Sequence, residues 1–158
     1  MDPFYILYEV QVNDGVVSAL PPIAFTDSAQ ASSRYHGVLS SAAIAQIDYD
    51  GAFLVRDDGV ITEGRAYGLN PLGIDPYYIV IEIQMLNGVP AAIEPVYGYR
   101  DPNQAKSAYY QMCASAAIGT SEYDAIMIID NRNMIYDDKK EIFDRRPKPE
   151  ADETEQLI

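Results

Sequence analysis

The chain has 158 residues, of which 48% are hydrophobic and 22% are charged, and its formal net charge is −13. This composition is typical of a globular domain, and no apolar run approaches the roughly 20 residues that cross a bilayer, so the sequence predicts no membrane span. Cations are sparse before residue 131, so direct nucleic-acid binding through a basic face is not expected.

The first predicted element is a strand hairpin. Apolar residues alternate with other residues between positions 5 and 12, a period of two that indicates a strand, and Asn13-Asp14-Gly15 supplies the positive-φ residues of a tight turn. A second strand follows over residues 16–20 and ends at Pro21-Pro22, because proline cannot donate to a strand ladder. The aliphatic face of the first strand carries Ile6, Tyr8, Val10 and Val12.

A helix is predicted after Asp27. The Asp27 side chain can accept at the helix N-cap, and Gln30 stands three residues later as in a capping box. Asp27 and its counterpart Asp101 in the second half are therefore interpreted as caps and not as catalytic acids. Apolar residues then recur at the spacing of one helix face, which we expect to be buried. This stripe consists of Ala31, Tyr35, Val38, Leu39 and Ala42.

A second hairpin completes the first half of the chain, which therefore reads ββαββ. Its strands begin at Ala52 and end at Tyr67, and its turn is Asp57-Asp58-Gly59, where glycine tolerates the left-handed conformation. The paired acids of this turn are poor partners for acid/base catalysis, since neighbouring residues on a strand point to opposite faces.

The second half repeats the first. Residues 78–88, YIVIEIQMLNG, restate residues 5–15, YILYEVQVNDG, at an offset of 73, and from the helix onward the offset is 74. The sequence thus predicts an α+β fold of two tandem ββαββ repeats related by a pseudo-twofold axis, each an antiparallel sheet with one packed helix. We assign residues 1–70 and 71–143 to the repeats and residues 144–158 to a charged flexible tail. Each half would be marginal alone, so the halves are expected to fold against each other.

One strand of the second repeat is predicted to be central. The run Ile126-Met127-Ile128-Ile129 is apolar without alternation. Strands that are covered on both faces have this pattern.

Tyrosine usage gives the main indication of function. The chain has 13 tyrosines and no tryptophan, and tyrosine is enriched where proteins contact one another. The first strand of each repeat has a second apolar face opposite the aliphatic face on which we expect the helices to pack, so the sister repeat or another chain must cover it. The predicted interaction residues are Tyr5, Leu7, Tyr78, Val80 and, at the end of the tail, Leu157 and Ile158.

The sequence lacks a nucleophile elbow, a phosphate loop, a dinucleotide-binding turn and zinc-ligand spacing. His36, the only histidine, is expected at the surface or edge, and Cys113, the only cysteine, is expected to be a small core residue. Asp48-Tyr49-Asp50-Gly51 matches only the start of a calcium loop. We therefore predict no enzymatic activity, no cofactor and no metal.

Three segments carry a resemblance. The Asn13-Asp14-Gly15 turn, the helix sequence SRYHGVLSSAA and the hairpin sequence FLVRDDGVI resemble the small ββαββ proteins encoded by bacteriophages and prophages. The resemblance covers most of each half and assigns no functional residue. It implies a viral context, with a virion accessory component or a host-directed inhibitor as the usual roles. The expected location is the host cytoplasm or the virion, since no secretory signal is recognised at the start of the sequence.

Three functions are open at this point. The first hypothesis is a non-enzymatic interaction protein that forms a homo-oligomer or binds a viral structural protein, such as a capsid-associated component, without direct nucleic-acid or membrane binding. An alternative is an acidic inhibitor that mimics nucleic acid, with carboxylates in rows at phosphate-like spacing. A further alternative is a small-molecule sequestering protein with a pocket between the repeats.

Overall fold

The computed structural model describes residues 3–147. The first repeat contains, in order, β1 (Tyr5–Asn13), β2 (Val16–Ala19), β3 (Ile23–Phe25), α1 (Ser28–Ala42), β4 (Tyr49–Arg56) and β5 (Ile61–Tyr67). The second repeat contains β6 (Tyr78–Leu86), β7 (Val89–Ala92), β8 (Tyr97–Tyr99), α2 (Pro102–Ala117), β9 (Tyr123–Asp130) and β10 (Ile135–Asp144).

Each repeat forms one five-stranded antiparallel sheet. The first sheet has the order β2-β1-β4-β5. On the outer edge of β1, β3 pairs with residues 5–7 and β2 pairs with residues 10–13. The second sheet has the same order, β7-β6-β9-β10, with β8 on β6. The predicted α+β fold of two tandem repeats is confirmed, and the short strands β3 and β8 add a third strand before each helix.

The two sheets pack face to face, and each helix covers the outer face of its own sheet. The molecule is therefore a four-layer sandwich in the order α1, first sheet, second sheet, α2. The expectation that the helices pack on the aliphatic faces is wrong. Those faces are strongly apolar, so each is buried against the equally apolar face of the other sheet, while a narrow helix stripe covers the outer face.

The core between the sheets is built from alternating residues of the central strands. Its buried members come in nearly equal numbers from the two repeats, so neither repeat has a complete core without the other. They include Ile6, Tyr8, Val10, Phe53 and Val55 from the first repeat and Ile79, Ile81, Ile83, Met127 and Ile129 from the second.

Reciprocal contacts mark the pseudo-twofold axis. The Tyr49 hydroxyl donates to the carbonyl of Asn131 over 2.9 Å, and the equivalent Tyr123 hydroxyl donates to the carbonyl of Asp57. Each acceptor lies in the second hairpin turn of the opposite repeat, and each donor and acceptor is 74 residues from its counterpart. The short edge strands also make reciprocal contacts between the repeats, since β2 contacts β8 and β3 contacts β7.

The helices begin at the predicted caps. Asp27 accepts from the amides of Ala29 and Gln30, and Asp101 accepts from the amide of Asn103. Their role as caps is therefore confirmed. No helix between residues 3 and 147 is long and apolar enough to span a bilayer.

Strand β9 is central, as its apolar run predicts. All of its residues are buried, and it lies between β6 and β10 with α2 on one face and the first sheet on the other. Its outer face carries Ile126 and Ile128, and its inner face carries Met127 and Ile129. The apolar residues of β9 do not alternate with polar ones because both faces of this strand are covered.

The last strand extends further than the sequence predicts. Strand β10 continues to Asp144 after a register shift at two residues with positive φ, Asp137 and Asp138. The Arg146 guanidinium then forms an ion pair with Asp57 at 3.1 Å and lies 4.7 Å from the centre of the Tyr123 ring. Residues 144–146, which are assigned from the sequence to the start of the tail, are therefore held on the fold by cation–π and charge contacts.

Replacing Tyr8 by phenylalanine should stabilise the protein. Tyr8 is 1% exposed and stacks on Phe53, but its hydroxyl has no hydrogen-bond partner among the described residues. Removing a buried unpaired hydroxyl should raise the free energy of unfolding by about 1–2 kcal/mol in a urea titration. Tyr49→Phe is the matched control and should lower stability, because its hydroxyl is hydrogen-bonded. A loss of stability in Tyr8→Phe would contradict the assignment of an unpaired group.

Candidate functional site

The predicted interaction residues of the strands lie beneath the helices. Leu7 and Val80 are each 3% exposed and pack against α1 and α2, while Tyr5 and Tyr78 are half-buried beside the same helices. The physical reason for expecting another chain at these four positions is therefore removed. Leu157 and Ile158 lie outside the described residues.

The two single-residue candidates, His36 and Cys113, lie on different helices. His36 is exposed, with its ring 5.3 Å from that of Tyr35, and Cys113 is half-buried on the other helix. Burial raises the pKa of the Cys113 thiol, which disfavours the reactive thiolate. Residues 3–147 contain no group of three or more histidine, cysteine or acidic side chains that is placed to hold a metal ion.

A pair of carboxyl groups occurs on the outer face of each sheet. In the first repeat, Gln11 and Asp50 are cross-strand neighbours, and the Gln11 amide donates to Asp50 over 3.1 Å. The other oxygen of Asp50 is buried without a partner, although Asp50 is only 3% exposed. Glu9 lies two residues before Gln11 on the same face of the strand, and its carboxyl group can donate a hydrogen bond to this oxygen of Asp50.

The second repeat contains the same arrangement. Gln84 lies between Glu82 and Asp124 and donates to both, at 3.3 Å and 3.4 Å. One oxygen of Asp124 is again buried without a partner. The three residues are identical in type and position to those of the first repeat, so the arrangement has been retained in both copies of the unit.

Both glutamic acids are poised to hold a proton near neutral pH. Burial, followed by the hydrogen bond and the negative charge of Asp50, raises the pKa of Glu9 to about 8. Burial and Asp124 raise the pKa of Glu82 to about 8 in the same way. A proton shared between two carboxyl groups satisfies the buried oxygen without a cation. The pairs are consequently pH-sensitive parts of the fold.

Several exposed apolar side chains lie at the edge where the two sheets meet through their short strands. We call this edge the seam; it consists of residues 16–25 and 89–99. It is tightly packed, since a Cβ atom added to Gly98 would be 3.2 Å from the Val17 side chain, and the Arg100 guanidinium donates to the carbonyl of Gly15 over 2.9 Å. The seam is therefore a fixed surface to which both repeats contribute.

Large apolar side chains on the seam are exposed in pseudo-symmetric pairs. Val16 is 64% exposed and its counterpart Val89 is 62% exposed. Ile23 and its counterpart Tyr97 are also exposed. A depression of about 330 Å³ lies between these pairs. It is lined by Ala19, Leu20, Pro21, Pro22, Glu94, Pro95 and Val96.

Charge is almost absent from the seam. Residues 16–25 contain no charged side chain and residues 89–99 contain only Glu94, in a chain with 24 acidic and 11 basic residues. Depletion of charge together with exposed tyrosine and aliphatic residues is typical of the core of a protein interface. These two uncharged runs are visible in the sequence, but sequence reasoning missed them because they lie outside the strands with strong periodicity.

Comparison of the chain with protein-family models, with curated proteins and with solved structures gave no match.

Proposed function

We propose that the protein is a non-enzymatic interaction protein and that the seam is its binding surface. The observation that carries this proposal is the coincidence of exposed apolar side chains and missing charge on one rigid edge. Burying such a surface releases water at little electrostatic cost, because few charged groups lose their hydration.

A second copy of the chain is the partner that we propose for this surface. The internal pseudo-twofold axis relates Val16 and Tyr97 on one side of the seam to Val89 and Ile23 on the other. The seam therefore presents nearly the same apolar pattern after a half-turn about this axis. Two copies that meet through one self-complementary patch form a closed dimer. A viral structural protein of similar surface is the other partner, consistent with the bacteriophage resemblance and a capsid-associated role.

Substitution of the seam should abolish self-association. The double variant Val16→Lys/Val89→Lys places two cations on exposed positions of the interface, so we expect it to be monomeric where the parent chain is larger. Light scattering coupled to gel filtration across a concentration series measures this difference. The matched control is Ile44→Lys/Ile118→Lys, which alters another counterpart pair of exposed aliphatic residues, 78% and 86% exposed. The control should keep the parent mass.

A virion role has its own test. Mass spectrometry of purified particles should detect the parent chain and should not detect the seam variant, provided that both are expressed. A parent chain that is monomeric at every concentration and absent from virions would refute the interaction proposal.

Five of the acidic residues are poorly placed for the acidic-inhibitor alternative. Asp50, Asp124 and Asp130 are buried. Asp57 and Asp58 form ion pairs with Arg146 and Arg56. These groups are unavailable as mimics of exposed phosphates.

A further inference from the structure

A groove of about 630 Å³ lies between α1 and β5, on the outer face of the first repeat. The helix contributes an apolar and aromatic wall, and the strand contributes a charged wall. The helix wall consists of Tyr35, His36, Leu39, Ser40 and Ala43. The strand wall consists of Thr62, Glu63, Gly64, Arg65 and Tyr67.

In the second repeat, side chains bridge the helix and the edge strand at the corresponding place. Lys106 on α2 forms an ion pair with Asp137 of β10 at 2.9 Å, and the Lys139 ammonium lies 5.8 Å from the centre of the Tyr110 ring. Asp137 and Lys139 lie at the register shift of β10. The repeated fold therefore does not require an open groove at this place.

The residue types on the strand wall have also diverged. Arg65 pairs with Ala52 across the sheet, whereas the residue that pairs with Ile126, the counterpart of Ala52, is Glu141. His36 on the helix wall has Tyr110 as its counterpart. The groove of the first repeat thus contains a guanidinium and an imidazole in a chain that is otherwise poor in cations.

The charged side chains of the groove, Glu63 and Arg65, form no ion pair among the described residues. Among the described residues, Arg65 forms no ion pair, and its only hydrogen bond in the groove is a long one of 3.4 Å to the Tyr67 hydroxyl. One oxygen of Glu63 is shielded from solvent and receives no hydrogen bond. Glu63 and Arg65 are two residues apart on one strand face, about 7 Å along the strand, yet they are not paired with each other.

We propose that this groove binds a small zwitterion of the amino-acid type, with its ammonium group at Glu63 and its carboxylate at Arg65. The opposite charges of the ligand complement the opposite charges on the strand. A purely anionic ligand would be repelled by Glu63. A purely cationic ligand would be repelled by Arg65.

The helix wall suits the side chain of such a ligand. Tyr35 and Leu39 present apolar surface, and Ala43 leaves room beside them. Burial, with a contribution from the Glu63 charge, raises the pKa of the Tyr35 hydroxyl, so this phenol stays neutral as a hydrogen-bonding group. An aliphatic or aromatic amino acid fits the combination of an apolar wall and a charged wall.

Nuclear magnetic resonance of the full ¹⁵N-labelled chain tests the proposal with L-leucine and L-phenylalanine as probes. We expect saturable shifts of the backbone amides of His36, Gly64 and Arg65. N-Acetyl-L-leucine lacks the ammonium group and L-leucinamide lacks the carboxylate, and each should bind about tenfold more weakly or worse because one charge-assisted contact is lost. Equal binding of the blocked analogues, or no shift with either amino acid, would overturn the proposal.

Variants locate the site within the protein. Arg65→Gln and Glu63→Gln should each weaken binding about tenfold, since each removes one ligand charge partner. Arg34→Gln is the control, because Arg34 is exposed on the same helix and does not line the groove. The amide spectrum of each variant reports whether it is folded. Affinities that are unchanged in both folded groove variants would also refute the assignment.

Discussion

The double variant Asp50→Asn/Asp124→Asn should be more stable than the parent chain at pH 9, by about 2–4 kcal/mol after allowance for the partial exposure of the glutamic acids. In each repeat, asparagine can still accept from the neighbouring glutamine through its oxygen. Its amide group can donate to the glutamate, so the buried acceptor and the like charge are both removed.

The sign of the effect follows from the direction of the pKa shifts. Glu9 and Glu82 have a pKa of about 8 in the folded protein against an ordinary value of 4.5, so the folded chain binds these protons more tightly than the unfolded chain. Their contribution to stability is fully present below pH 4.5 and is lost as the pH rises through 8. The parent chain should therefore lose stability between about pH 5 and pH 9, and the double variant should lose much less.

Urea unfolding at several pH values between 5 and 9 measures this difference. Asp75→Asn is a suitable control, because it removes one charge from an exposed position and should leave the slope of stability against pH unchanged. The single variants Asp50→Asn and Asp124→Asn should each give about half of the effect, since the pairs lie in different sheets. A double variant with the same pH dependence as the parent chain would show that the carboxyl pairs are not the cause.

Leu7→Asp and Val80→Asp should each unfold the protein or cost about 4 kcal/mol or more. Each side chain is 3% exposed between a helix and a sheet, so a carboxylate there would lose its hydration and find no cation. Thermal unfolding followed by circular dichroism measures the loss. Leu72→Asp is the control, because Leu72 is 100% exposed in the connection between the repeats and its replacement should be nearly neutral.

The same variants separate a core role from an interaction role. If Leu7→Asp melts like the parent chain but loses self-association, Leu7 belongs to an interface and not to the helix-covered core. Loss of the folded state without a prior loss of assembly would confirm the core placement.

Internal repetition allowed most of the fold to be predicted. The match of residues 78–88 to residues 5–15 fixed two equivalent units, and the acids at Asp27 and Asp101 fixed the starts of both helices. Alternation in β1 showed that Leu7 shares a face with Tyr5 and not with Ile6. Periodicity cannot show which layer covers a face, however, and for this reason the helices were placed on the wrong side of the sheets.

The polar features were harder to predict because their partners are distant in the chain. Glu9 and Asp50 meet only through the pairing of β1 with β4, although the identity of Glu82 and Asp124 in the second repeat was a signal of a retained cluster. Arg146 is held by Asp57, which lies in the other repeat. The charged run that begins at Asp144 gave no indication of this contact. The groove of the first repeat depends on how far α1 stands from β5, which side-chain patterns do not determine.

The shared core has a consequence for how the stability of the molecule depends on its concentration. A single ββαββ unit in isolation would expose the whole aliphatic face of its sheet and would need a second unit to cover it, so its folding would be coupled to a bimolecular encounter. The connection between the two units, residues 68–77, turns that encounter into an intramolecular one with an effective concentration on the order of millimolar. The sandwich can therefore form at high dilution. Its two outer surfaces, no longer constrained to be identical, are free to acquire different chemistry.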